Sequence, residues 1–270
     1  MFEALRRHWP EYLIEAACLG TFMISACTFA SLFGYPQSPA HMWLMSGMPQ
    51  RVAMGLAMAF TAIAIIYSPW GKRSGAHMNP AVTLTFWRLG KIAPWDAFFY
   101  LTAQFAGGIA GVLIARVFLR SWVAHPDVNF AVTTPGRYGV AVAFAAEIAI
   151  SFILMSVILA VSNAQSVARF TGLFAGALVA TYITFEAPIS GMSMNPARTF
   201  GSAFSAHVWT ALWIYFCAPP LGMLLAAELY VRLRGTKAVH CAKLHHQNAQ
   251  RCIFRCGYAV KDELANKAAA

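Results

Sequence analysis

Two stretches of the chain repeat one polar pattern. Ser74-Gly75-Ala76-His77-Met78-Asn79-Pro80-Ala81-Val82-Thr83 and Ser190-Gly191-Met192-Ser193-Met194-Asn195-Pro196-Ala197-Arg198-Thr199 each set Asn-Pro-Ala shortly behind Ser-Gly. Asn before Pro reads as a helix start: the Asn side chain takes up free N–H groups of the first turn, and Pro sits where no N–H is needed. Such a tip offers amide hydrogen bonds and the partial positive charge of a helix N-terminus, which suits a neutral polar molecule and repels a cation. Arg198 lies three residues beyond Asn195, on the same face of that helix, and adds a fixed charge.

A second group of chemistry-bearing residues lies near the C-terminus: His240, Cys241, His245, His246, Cys252 and Cys256. Cys241 with His245, and Cys252 with Cys256, are i, i+4 pairs, so two helical turns would offer four soft ligands to a structural metal such as zinc. The plainer alternative is a basic tail with incidental thiols. Cys18, Cys27 and Cys217 fall in apolar runs and read as small packing residues.

The elements that must position these groups follow from composition. Of 270 residues, 59% are hydrophobic and 11% charged, against about 25% charged in soluble domains, so the outside of this protein faces lipid. Apolar runs at 12–34, 52–68, 93–118, 139–161, 170–189 and 208–231 are long enough to cross a bilayer. The segments 76–87 and 192–204 are too short and must be re-entrant. Glu11 and Glu15 frame the first run and no small-residue cleavage site follows it, so it reads as a retained span. Because three spans separate equivalent points, the two halves insert with opposite orientation, and the short segments meet near the midplane. The predicted class is therefore an all-α membrane protein with six transmembrane helices, two half-helices and an inverted repeat.

The net charge of +10 is topological and does not point to nucleic acid. Arg6, Arg7, Lys72, Arg73, Arg88, Lys91, Arg169, Arg232, Arg234 and the basic tail fall on one side. Arg51, Arg116, Arg120 and Arg137 fall on the other. The positive-inside rule then puts both termini in the cytoplasm of a multi-pass protein of the plasma (inner) membrane. No span carries two His at metal spacing, a Ser with a paired base or a phosphate loop, so an enzyme is not expected.

From about Tyr12 to Tyr230 the chain resembles the aquaporins, or major intrinsic proteins. The paired Asn-Pro-Ala motifs carry the resemblance, with Gly20-Thr21, Gln104 with Gly107-Gly108, Glu147 with Ser151, and Arg198 directly after the second motif. It implies a right-handed bundle, one pore per subunit, a homotetramer and no required cofactor. It divides the chain into a channel over 1–234 and a cytoplasmic Cys/His tail over 235–270. Asn79 and Asn195 would donate to the oxygen of a passing water, and Glu147 and Gln104 would support the loops. His77 would contribute a backbone carbonyl or hydrogen bond near the cytoplasmic vestibule. A packed histidine and a pH gate both stay open there. The family's span-one carboxylate position is Ala17, and Glu15 sits roughly 200° around the helix from it, so a role for Glu15 is open.

The resemblance also implies a filter of Arg198 with Phe60, Ile183 and Met192, Ala59 being the alternative to Phe60 because the link 68–73 differs in length. Pairing of Arg198 with Glu186 is the competing reading for the arginine. Strict water channels usually carry His at Ile183 and a small residue at Met192, whereas glycerol channels carry Gly and an aromatic. Thr199, Ala203 and Tyr215-Phe216 look water-type. The expected function is passive passage of water, and of hydrogen peroxide or other small neutral solutes, across the lipid bilayer with exclusion of protons and ions. A glycerol or small-polyol facilitator is the alternative.

Overall fold

The computed structural model describes residues 1–258; the tail expected over 235–270 is described that far, and 259–270 lie outside the described residues. Among the described residues six helices are long and apolar enough to cross a membrane, the fifth running Ala168–Phe185 with its first turn 3-10. We number them with the two half-helices in chain order: α1 (Phe2–Gly34), α2 (Met48–Tyr67), α3 (Pro80–Arg88), α4 (Pro94–Leu119), α5 (Val140–Ser162), α6 (Thr171–Phe185), α7 (Pro196–Ala206) and α8 (Leu212–Arg234). An even number of crossings puts the start of α1 and the end of α8 on one face, called here the N/C face; the other is the far face.

The half-helices are shorter than the apolar segments that announced them. The backbone before each proline is not helical: Ala76, Met78, Met192 and Met194 all have φ between +49° and +54°. Helix can begin only where Pro supplies a fixed φ and Asn caps the turn. With 9 residues in α3 and 11 in α7, at about 1.5 Å per residue the two placed tip to tip amount to about 30 Å, one bilayer core. Two half-elements thus make up a seventh span with a break at its centre.

Small residues set the helix crossings, as expected where apolar surface alone gives no drive to associate in lipid. A Cβ on Gly107 of α4 would lie 2.1 Å from the Ala16 carbonyl oxygen of α1, and one on Gly111 2.4 Å from that of Gly20. In the second half a Cβ on Gly222 of α8 would meet the Ile148 carbonyl oxygen of α5 at 2.4 Å. The halves join through α2 and α6, where Gly55 sits against Ala180. First and third spans of each half therefore clasp each other, and the second spans clasp across the repeat.

Gly107→Leu is expected to abolish recovery of folded protein, because backbone carbonyl oxygen cannot move aside. Leu113→Ala, on the partly exposed side of the same helix, should leave it intact. Size-exclusion profiles and thermal unfolding in detergent decide this; a G107L protein with the parental Tm overturns the packing described.

Candidate functional site

Each re-entrant loop is built by the same sequence of hydrogen bonds. The Ser74 hydroxyl accepts from Ala76 N–H and the Ser190 hydroxyl from Met192 N–H, both at 3.1 Å. Tyr100 donates to the Ser74 carbonyl at 2.6 Å and Tyr215 to the Ser190 carbonyl at 2.5 Å. The Asn79 side-chain oxygen accepts from Ala81 N–H at 2.8 Å, and that of Asn195 from the Ala197 and Arg198 N–H groups at 3.1 Å. Both oxygens are thereby committed to capping.

The amide nitrogens are then used across the repeat. Asn79 Nδ2 donates to the Met194 carbonyl at 2.7 Å, and Asn195 Nδ2 donates to the Met78 carbonyl at 2.6 Å. Each loop supplies the acceptor for the other's capping residue. An NH2 group has two hydrogens, so each asparagine keeps one N–H for the space beside it.

Two buried carboxylates hold the loops in this shape. Glu147 accepts from Ser193 N–H at 2.7 Å, Met194 N–H at 2.8 Å and the Ser190 hydroxyl at 2.8 Å. Glu15 is its counterpart in the first half, accepting from Met78 N–H and from Gln104 Nε2. Ala17 does not need to carry a carboxylate, because Glu15 reaches the loop from its own face of α1. Gln104 donates its second hydrogen to Thr83 Oγ1 at 2.9 Å.

These tips open on one cavity of about 460 Å³, whose wall includes Asn79, Asn195, Arg198, Ile183, Met192 and His77. Arg198 Nη1 is buried without a partner, and so are both Glu186 carboxylate oxygens; among the described residues no ion pair joins the two. The guanidinium is left with a donor beside the cavity. Phe60 is not part of this wall: it is 67% exposed on the outer face of α2. Ala59 is not part of it either; its carbonyl faces Gly176 of α6. The lining stripe of α2 is Met54, Met58, Ala62 and Ile66, one residue every four, as one face of a helix requires. The link 68–73, whose length left both Phe60 and Ala59 open, folds as the short helical turn Pro69–Ser74, and the residues of α2 that reach the wall are neither of these two. The i, i+4 spacing of these four is the signal in the sequence that marks the stripe.

Residues beyond α8 fold back over the N/C face. Val239, Cys241, Ala242, Lys243, Leu244 and Phe254 are buried, and Leu244 reaches the cavity wall. Ligand atoms of Cys241, His246, Cys252 and Cys256 all lie within 4.8 Å of one another, a cluster able to hold a metal ion. His246 takes the place expected of His245. An i, i+4 spacing brings side chains together only on helical turns, and from Val239 on this segment runs through bends and irregular backbone. The ring of His245 instead packs edge-on against Tyr67 at 5.0 Å. Hydrogen bonds with Cys252 and Cys256 hold the His246 imidazole up to about 9, while burial lowers His245.

Six membrane-length helices, two broken ones tip to tip and a shared cavity define a transmembrane channel. Residues 7–230 match the family described as Major intrinsic protein. The chain is 34% identical to Aquaporin NIP2-1 of Zea mays over 238 residues, covering 85% of this chain and 75% of that one. It is 36% identical to Aquaporin NIP2-3 of Zea mays over 243 residues, covering 87% and 75%. The X-ray structure of the aquaglyceroporin from Plasmodium falciparum shares the fold, with TM-score 0.68 at 20% identity, over 83% of this chain and 95% of that chain. The chain belongs to the major intrinsic protein family and is a membrane channel for small neutral molecules, not an enzyme. The Cys/His segment lies beyond the matched residues.

Glu147→Ala strands two backbone N–H groups and a hydroxyl in the interior, at about 1–3 kcal/mol for each group left unpaired. A clear fall in Tm in detergent is expected. Glu186→Gln, whose oxygens have no partner to lose, should leave Tm within error; a larger loss there than for E147A overturns the assignment of loop support.

Proposed function

We propose that this channel passes water, with hydrogen peroxide and other small neutral solutes, and excludes protons and ions. The observation that carries the reading is the crossed pair of asparagines on one cavity wall, with the unpartnered donor of Arg198 nearby. Facing half-helix N-termini contribute about half a positive charge each, which raises the cost of a cation at the centre. A water that accepts from both asparagine amides has its oxygen engaged twice. Its hydrogens then point toward opposite mouths, and a proton cannot be relayed through it.

Selection by size falls to the side chains around Arg198. We assign this constriction to Met58 or Met54 of α2, Ile183 of α6 and Met192 of the second loop. Met58 and Met192 are 1% and 7% exposed, so these long, adaptable side chains fill space where a wider pore would carry small ones. That favours water over polyols. A glycerol or small-polyol facilitator is the second reading, supported by Ile183 standing where water channels usually place a histidine donor.

The arrangement of basic residues supports placing the N/C face in the cytoplasm and the protein in the plasma (inner) membrane. Phe60 and Phe185, 67% and 65% exposed, lie on the outside of paired α2 and α6, a surface for lipid or for a neighbouring subunit of a homotetramer. We take 1–234 as the channel and 235–270 as an appended segment.

Stopped-flow light scattering of proteoliposomes tests the reading, using both the parent chain and Leu244→Gly, which removes a tail side chain from the cavity wall. Water permeability above empty vesicles with a low activation energy is expected, with glycerol entry slower. No permeability above empty vesicles in either protein defeats the channel reading, and glycerol entry keeping pace with water promotes the second. Met192→Ala should raise the glycerol-to-water ratio several-fold; an unchanged ratio removes Met192 from the constriction.

A further inference from the structure

The segment after α8 meets the cavity at its N/C mouth, and its own shape depends on four ligand-type residues. We propose that Cys241, His246, Cys252 and Cys256 form a tetrahedral site for a soft divalent cation, zinc foremost, and that the loaded site holds Leu244 in the channel mouth as a plug. The plug half of this rests on the channel reading above; the metal half does not.

Two separations within the cluster are those of ligands around an ion, and all four ligand atoms lie within 4.8 Å of one another. Cys241 Sγ and Cys252 Sγ are 3.6 Å apart, and Cys256 Sγ is 3.6 Å from His246 Nε2. Zinc bonds of about 2.3 Å to sulfur and about 2.0 Å to nitrogen at tetrahedral angles put neighbouring ligand atoms about 3.5–3.8 Å apart. A disulfide needs about 2.05 Å, and all three cysteines are free. The ring of His246 is stacked on Tyr258 at 4.5 Å, which fixes the direction in which its nitrogens point.

Charge gives an independent argument. Lys243 is only 2% exposed, and its ammonium donates to the Gln250 and Arg251 carbonyls at 2.9 and 2.7 Å. Among the described residues it forms no ion pair with a carboxylate. A buried ammonium needs a countercharge close by. A divalent cation on three thiolates and a neutral imidazole carries a net charge of −1, and the thiols of Cys241, Cys252 and Cys256, together with the more weakly acting Glu11 carboxylate, lie near enough to act electrostatically on Lys243. A loaded site of that charge would complement the lysine.

The cation also has something to staple. As far as residue 258 the segment has almost no regular secondary structure of its own after the short turn Thr236–Ala238, and so small a core seldom holds shape without a cross-link or metal. Leu244 lies between Cys241 and His246, so ligation clamps the chain on both sides of the plug. From there the contact runs inward. Leu244 N–H donates to the Gly75 carbonyl at 3.2 Å, and His77 Nε2 donates to the Ala242 carbonyl at 2.8 Å. Phe254 stacks on the His77 ring at 5.4 Å. With Nε2 donating, His77 Nδ1 must accept, and it does so from the Thr83 hydroxyl at 3.1 Å, whose oxygen takes a hydrogen from Gln104. One directed chain of hydrogen bonds thus connects the tail to the loop that carries Asn79.

The test uses the full-length protein. Purified chain is expected to hold one zinc, and cobalt(II) in its place should give the intense visible bands of tetrahedral thiolate coordination. Cys252→Ser and Cys256→Ser should lose both signals. Trypsin should cut at Arg251 and Arg255 several-fold faster after chelation than with zinc. In proteoliposomes, chelation should raise water permeability several-fold and added zinc reverse it. Leu244→Gly should keep the cobalt spectrum and flow at the chelated rate whether or not zinc is present. A full-length chain that takes up neither zinc nor cobalt overturns the metal site. Equal permeability of zinc-loaded and chelated parent chain overturns the plug. Failure of the channel reading looks different: Leu244→Gly shows a cobalt spectrum but no flux, which defeats the plug and upholds the site.

Discussion

The structure depends on one exchange: each capping asparagine gives an N–H to the carbonyl just before the other. Neither loop can hold its shape alone, since a helix start at the midplane leaves donors and acceptors that lipid cannot satisfy. Brought together from opposite faces, the two ends satisfy each other and leave one N–H apiece toward the cavity. The positive φ values at Ala76, Met78, Met192 and Met194 are the local cost of that geometry, and Glu15 and Glu147 keep the backbone there. The same bonds that hold the centre together therefore also decide which amide hydrogens are left facing the cavity.

What was legible in the sequence is what obeys local rules. Asn79-Pro80 and Asn195-Pro196 announce helix starts through capping chemistry alone, and the six spans announce themselves through length and apolarity. Arg198 follows from helix periodicity. Glu15 was harder to read, because its partner Met78 is 63 residues away and the carboxylate approaches the loop from a different face of α1 than its counterpart does in the second half. Phe60, with Ala59 as its alternative, was carried over from the resemblance across a link of unusual length, which folds as the turn Pro69–Ser74; an offset of one or two residues there turns a helix face from pore to lipid.

The tail shows the limit of spacing arguments in another form. Cys252 and Cys256 were identifiable as a pair, but choosing between His245 and His246 required knowing the backbone, and irregular backbone has no period. Nor does spacing reveal that Leu244 would enter the cavity or that Lys243 would be enclosed. Both depend on the segment folding back over the N/C face, where His77 and Gly75 receive it.

The seat of Leu244 at one mouth has a further consequence. Flow here is downhill and consumes no fuel, so microscopic reversibility binds it: a barrier placed at either end slows influx and efflux in the same proportion. A plug at Leu244, as proposed above, would therefore change how fast the two sides of the membrane equilibrate, but it would not make the protein a valve that favours swelling over shrinking.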